Sequence, residues 1–308
     1  MTTSQRKRNL HFVIIPKCAH PWADEVHKGA MAQASLLSHQ LGIEIAVDFL
    51  APPFAGVAEQ NAILERAAAI PADGIAVDPV APLGDMPAIR LIRQRGTPIV
   101  LFDSPSPEPG MTSVGNDFTQ QGTIAAERLA GLIDRRGKVA VMRGFPSAPN
   151  HRERYEAQVA VLEKHRGISI VDGGIDNDDI ETAERQASAV LVANPDLKGY
   201  LCCDAAGPVG IAAAVRKLGK VGKVAVVGMD GIEPILEAVK ERVLESSAST
   251  IPAMQGSMSV LMLWQATLGV PLPERIDTGI DLITQENVES FMAAARSRCP
   301  ALTSPDLV

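Results

Sequence analysis

Aromatic residues are scarce in this 308-residue sequence, with two Trp, two Tyr and seven Phe. Any apolar platform for a bound group must therefore be built from few side chains. Cysteine is scarce too: Cys18, Cys202, Cys203 and Cys299 are the only four. Cys202 and Cys203 are adjacent, and as strand neighbours they would point to opposite faces, so no disulfide framework is implied. Small thiols filling a core account for them better than a redox role. No apolar run exceeds the length of a strand, so nothing reads as a membrane span. The run FVII before Pro16 is too short for a secretory h-region, which leaves either a mature form or a cytosolic protein. The formal charge is −7 with pI near 5.4 and no basic face stands out, which argues against a nucleic-acid partner.

Enzyme signatures are absent as well. There is no G-x-S-x-G elbow, no Walker-type phosphate loop and no G-x-G-x-x-G after a strand. GKVGKV (219–224) has the wrong spacing for a phosphate loop and reads as a surface turn. Cys18, His20 and His27 are not completed by a carboxylate or second cysteine into a standard metal pattern, so no metal and no cofactor is expected.

What is present is an alternation of strands and helices. LHFVII (10–15), IEIAVDF (43–49), GIAVDP (74–79) and PIVLFD (98–103) read as four strands separated by helices, the first helix carrying Trp22, Val26, Ala30, Ala34, Leu37 and Leu41 on one face and stopping at Gly42. Consecutive βα units require a parallel sheet with right-handed crossovers. After TSVGND and a helix over 118–133 the scheme repeats: KVAVM (138–142), a helix over 150–165, ISIV (168–171), a helix over 179–193, GYLCC (199–203), a helix over 208–218 and KVAVVGMD (223–230). A helix over 233–242, a short strand in SSAST, a helix over 253–268 that belongs with the first half, IDTGIDLI and a helix over 286–296 follow, with a loose tail after Pro300. The fold class is α/β: two doubly wound parallel-sheet domains joined by a three-strand hinge. The domains are expected at 1–115 plus 251–275 and at 116–250 plus 276–308.

Polar residues gather at strand C-termini, the edge where open α/β sheets bind ligands. Lys17 and His20 follow the first strand, Asp103 the fourth, Asp204 follows GYLCC and Asp230 follows KVAVVGM. Taken singly, each aspartate is equally a helix N-cap; together they point to a ligand edge in both halves. Arg152, just inside a helix start, adds a cation that the helix dipole disfavours there. Trp22 offers either an apolar wall for a ring or interdomain packing.

Six segments carry a family resemblance. VIIPKCAHPWADEVHKGAMAQA, GTPIVLFDS, VGNDFTQQG, NPDLKGYLCCDAAGPVGIAAAV and KVAVVGMDGIEPILEAVKE, followed by SSASTIPAMQGSMSV, resemble in order the periplasmic sugar-binding proteins of ABC importers. The likeness is to the ribose-binding-like branch of the type I fold and runs from about Leu10 to Ile283. It implies reversible capture of a small sugar or sugar alcohol in an interdomain cleft, hinge closure, transient delivery to a membrane ABC permease, a periplasmic location, a monomer and no catalysis. It implies ligand contacts at Lys17, His20, Trp22, Asp103, Ser104, Arg152, Asp204, Asp230 and Thr250, with Asp178 added where many members carry an aromatic. His20 and Asp204 stand where ribose-type binders carry Asn, and Thr250 stands in place of a Gln. The PK loop with the following DS is similar to the branch that includes autoinducer-2 and rhamnose binders. The competing expectation is a sensor, either the effector domain of a lactose-repressor-like regulator or a chemoreceptor-linked sugar sensor. The former would carry a DNA-binding segment for which the stretch before Leu10 is short.

Overall fold

The apolar spacing of the first helix is realised in α1 (Pro21–Leu41), which buries Trp22, Val26, Ala30, Ala34 and Leu37 and ends on Gly42 in the left-handed conformation. The structure, a computed structural model, describes residues 8–297. Cys299, the basic N-terminal residues before Arg8 and the tail after Pro300 lie outside the described residues.

The chain divides into two units. The first takes the chain up to Asn116, with Ser147–Asn150 and Ile251–Gly279; the second takes Asp117–Pro146, His151–Thr250 and the chain from Ile280 onward. The helix over 253–268 falls in the first unit.

In the first unit, β1 (Leu10–Ile15), β2 (Ile45–Phe49), β3 (Gly74–Val77), β4 (Ile99–Phe102), β5 (Thr112–Gly115) and β11 (Arg275–Asp277) form a sheet in the order β11-β5-β4-β3-β1-β2. Every pairing in it is parallel. β1, β3 and β4 are short and largely buried on both faces, which is why they read as unbroken apolar runs. Val13, Ile15, Ile75, Val77 and Leu101 pack one face of the sheet against Leu64 of α2 (Val57–Ala69) and Ile89 and Ile92 of α3 (Pro82–Gln94). α9 (Pro252–Thr267) lies on β3, β4 and α1. The α1–α9 crossing is backbone against backbone: a Cβ on Gly29 would stand 1.8 Å from the Ala253 carbonyl oxygen, and one on Gly256 1.9 Å from that of Val26. Only glycine permits that approach.

The second unit repeats the plan. β6 (Arg136–Arg143), β7 (Gly167–Ile175), β8 (Leu197–Leu201), β9 (Ala225–Met229), β10 (Ser246–Ser249) and β12 (Asp281–Thr284) are ordered β12-β10-β9-β8-β6-β7, with β12 the one antiparallel member. Its helices are α4 (Phe118–Leu132), α5 (Pro149–Glu163), whose first residues belong to the first unit, α6 (Ile180–Ala193), α7 (Ala206–Lys217), α8 (Glu233–Lys240) and α10 (Val288–Ser297). Strand for strand, β6 to β10 stand to one another as β1 to β5 do.

Two strand ends differ from the sequence reading. β8 stops at Leu201, so Cys202 and Cys203 lie past the strand rather than on its opposite faces; both are buried free thiols. β7 runs on past the expected ISIV (168–171), through Gly173 and Gly174 to Ile175. Its ladder with β6 shifts register near that end, and Gly174 takes φ 93°. The irregularity is a bulge that two glycines allow.

Candidate functional site

In the first unit β1 delivers Lys17 past Pro16, β3 delivers Asp78, and β4 delivers Asp103 and Ser104, all from neighbouring strand ends. The four are almost fully buried. Lys17 Nζ stands 3.2 Å from Asp78 Oδ2 and 3.3 Å from Asp103 Oδ2. Ser104 Oγ donates to Asp78 Oδ1 at 2.9 Å. Gln255, from the first turn of α9, donates to Asp103 Oδ1 at 3.3 Å and to Asn116 Oδ1 at 2.9 Å, and Asn150 also donates to Asp103. Burial pushes the Asp78 carboxyl up to about 7; the Lys17 ammonium opposes the shift and the Asp103 charge adds to it. One ammonium thus serves two carboxylates.

His20 caps α1, its Nδ1 accepting from the Trp22 N–H at 3.2 Å. Its Nε2 is buried and meets no hydrogen-bond partner among the described residues. Trp22 is buried at the same helix start.

In the second unit Asp204 follows β8, Asp230 follows β9 and Thr250 follows β10. Thr250 Oγ1 donates to Asp230 Oδ1 at 2.5 Å. Asp103 and Asp230 are equivalent. Each ends the fourth strand of its sheet order, each takes a left-handed φ (52° and 66°), and each donates its N–H to the next strand, to Val114 and Ala248 respectively. A non-glycine residue in that conformation is uncommon, and Asp is among those that tolerate it best.

The arginine that the fold buries is Arg154, not Arg152. Arg152 has a 58% exposed side chain 3.9 Å from Glu156, a solvent-facing position. Arg154 is 2% exposed; its Nε donates to Gln121 Oε1 at 2.7 Å, one Nη donates to the Cys203 carbonyl at 3.3 Å, and its guanidinium lies over the Phe118 ring. The signal was in the sequence. Counting back from Val161 and Leu162 through Ala157 and Gln158 by threes and fours reaches 154 and 150, the buried stripe of α5.

Asp178 likewise gives way to a neighbour. It is half-buried in a turn with φ 61°, and its N–H donates to Asp176 Oδ1 at 3.0 Å. Asp176, placed at the true end of β7, is fully buried. Burial, followed by the Asp204 charge, pushes its carboxyl up to about 11. Asp78, Asn116, Asn150 and Gln255 belong to the first cluster and are not among the residues expected from the sequence. Asp78 had the same signal as Asp103, a carboxylate directly after a buried strand.

Neither cluster pairs a nucleophile with a base. Cys202 and Cys203 have thiol pKa values raised by burial, and nearby carboxylates add to the rise, so neither presents a thiolate. Among the described residues no group of three or more His, Cys, Asp or Glu is arranged to hold a metal. What these clusters can do is exchange hydrogen bonds: buried carboxylates accept from hydroxyls, while Lys17, Arg154, Asn150 and Gln255 donate.

The model of the periplasmic binding protein domain matches residues 12–269. The chain belongs to that family. Among curated relatives of this periplasmic binding protein, the D-ribose/D-allose-binding protein of Pseudomonas aeruginosa is 25% identical over 73% of this chain and 74% of its own length. The D-allose-binding periplasmic protein of Escherichia coli is 23% identical over 86% and 87%. The xylose/arabinose-binding protein of Sulfolobus acidocaldarius is 23% identical, and the matched region spans 62% of that longer chain. A solute-binding protein of an ABC transporter from Burkholderia graminis, solved with D-arabinose, superposes with a TM-score of 0.85 at 26% identity, covering 94% of this chain and 99% of that one. The two-domain α/β architecture and the sugar-binding-protein resemblance expected from the motifs are therefore those of the family. Among the described residues no helix is long and apolar enough to cross a membrane.

Proposed function

We propose that this protein captures a small uncharged sugar or sugar alcohol and hands it to an ABC permease, as an extracytoplasmic, monomeric solute-binding component that makes and breaks no bonds. One observation carries the reading: the repeated strand-end aspartates, Asp103 and Asp230, each buried, left-handed and set among side-chain donors. A hydroxyl-rich ligand supplies the donors such carboxylates accept, and the relatives named for ribose, allose, xylose and arabinose are consistent with that chemistry.

The residues we assign to it are Lys17, His20, Trp22, Asp103 and Ser104 from the first unit and Arg154, Asp204, Asp230 and Thr250 from the second. Arg154 replaces Arg152 in that set, and Asp178 contributes its backbone to Asp176 instead of its carboxylate to a ligand. The test is a thermal-shift screen against pentoses, hexoses, deoxysugars and polyols. A ligand present at a hundred times its Kd adds about 2.7 kcal/mol to stability. A panel in which no sugar or polyol raises the unfolding temperature would overturn the reading.

A further inference from the structure

In the first unit the acid after the third strand of the sheet order, Asp78, has a lysine beside it. In the second unit the equivalent acid is Asp204, and the group beside it is another acid, Asp176. β7 and β8 flank β6, so their ends bring the two carboxyls together from either side. Both are almost wholly inaccessible, at 0% and 1%.

The backbone fixes each of them by one oxygen. Asp176 Oδ1 accepts from the Asp178 N–H at 3.0 Å, and Asp204 Oδ1 accepts from the Gly207 N–H at 2.8 Å. The Asp176 main-chain N–H is tied to the Arg143 carbonyl at 3.0 Å. Both carboxyls close on a single glycine: a Cβ on Gly207 would stand 3.0 Å from Asp204 Oδ1 and 3.2 Å from Asp176 Oδ2. Asp176 Oδ2 is buried and meets no N–H donor among the described residues.

We propose that Asp176 is a positioning residue for ligand binding: it carries a proton that it donates to Asp204, and this hydrogen bond holds Asp204 with its remaining lone pairs set for ligand hydroxyls. The proposal rests on the sugar-binding reading for its ligand, but not for its proton. Two carboxylates this close in a dry site cannot both ionise, and the pair binds one proton between them.

The charged and titratable groups around them favour the same outcome. α5 presents His151, whose Nδ1 accepts from the Phe145 N–H and is therefore unprotonated, and Arg154. β6 ends in Arg143, whose guanidinium lies over Tyr155. β8 and the residues after it bring Tyr200, which donates to the Gly173 carbonyl, and the two buried thiols. Asp172 and Asp178 lie on the same chain segment, and Asp230 follows β9. Carboxylates outnumber the two arginines, so the environment draws a proton in. The upward shift of the Asp176 carboxyl, caused first by burial and then by Asp204, agrees with this assignment.

The test uses the full chain and two readouts. Carbon-13 NMR of the aspartate carboxyls, followed without ligand from pH 4 to pH 10, should show one carboxyl still at the protonated-acid shift above pH 8. That signal should be missing in Asp176→Asn. No aspartate carboxyl remaining at the protonated-acid shift above pH 8 would overturn the shared proton.

The second readout is the affinity for whichever of D-ribose, D-allose and D-arabinose binds best, measured by calorimetry across the same range. Carried on to pH 11, where about half of the pair has given up its proton, the wild type should weaken at least about twofold. Asp176→Asn keeps a donor that cannot ionise, and its profile should stay flat. Parallel profiles for the two proteins would overturn the positioning role. If none of the three sugars binds, the sugar reading and the positioning role fail together, while the NMR titration still decides the proton.

Discussion

Lys17→Met removes the one cation between two buried carboxylates and leaves most of the volume filled. Lys17, Asp78 and Asp103 are 6%, 2% and 4% exposed, so solvent cannot compensate. Breaking a buried pair by deleting one partner typically costs about 3–5 kcal/mol, because a buried charge is left uncompensated. The loss should depend on pH, with a definite sign. The Asp78 carboxyl is raised in the folded protein to about 7, so its contribution is fully present below the ordinary carboxylate range and is lost as pH rises through about 7. Lys17 opposes that rise, and removing it moves the folded pKa higher still. The variant should therefore be most destabilised at pH 8 and less so near pH 5, where Asp78 holds its proton in both proteins and only Asp103 has lost its counter-ion. Denaturant unfolding at the two pH values is the assay. Adding Asp78→Asn to the variant should recover much of the loss at pH 8. A variant as stable as wild type at pH 8, or a loss of equal size at both pH values, would refute the account of Lys17 as shared counter-ion.

Two further substitutions test the packing around the candidate site. Arg154→Ala strands the Gln121 amide oxygen and the Cys203 carbonyl, so stability should fall by at least about 1–3 kcal/mol and sugar affinity should fall with it, whereas Arg152→Ala should stay within about 0.5 kcal/mol of wild type and keep its affinity; chemical denaturation and calorimetry on both variants check the contrast. Gly256→Ala forces a methyl to within 1.9 Å of the Val26 carbonyl oxygen, so α1 and α9 must separate at a cost of about 1–3 kcal/mol, read as a lower denaturation midpoint.

Elements such as β1, β3, β4 and α1 were legible because the strands are short apolar runs and the helix has a clear stripe. α1 shows it best: a Pro-Trp start, a three- and four-residue rhythm and a glycine stop are all local signals. The candidate site was legible only where a residue follows its strand directly, as Asp103 and Asp230 do. Arg152 was chosen for its distance from the helix start, yet burial on a helix is set by angle, and 154 shares the angle of Ala157 and Val161 while 152 does not. Asp178 enters only through the family resemblance, as the position where many members carry an aromatic, and the strand expected at 168–171 ends well short of it. The ladder continues through Gly173 and Gly174, and the end of β7 falls beside Asp176 instead. Hydrogen-bond partners that come from far along the chain, such as Gln255 on Asp103, have no local signal at all.

The repeat between the two sheets also explains why identity at equivalent positions does not imply equivalent chemistry. Asp103 and Asp230 share conformation, strand and backbone partner, and their equivalence follows from the fold alone. Asp78 and Asp204 share only their place in the strand order. What faces each of them is set by the strand two places along the sheet or by the loop after its neighbour: Lys17 from the β1 end in one case, Asp176 from the β7 end in the other. One acid is held ionised-ready by an ammonium, while the other is held by a proton-bearing carboxyl. A fixed cation keeps its charge across the neutral range, and a shared proton can be given up. The two units should therefore respond to pH in different ranges: Asp78 of the first gives up its proton near neutrality, and the Asp176–Asp204 pair of the second only at strongly alkaline pH.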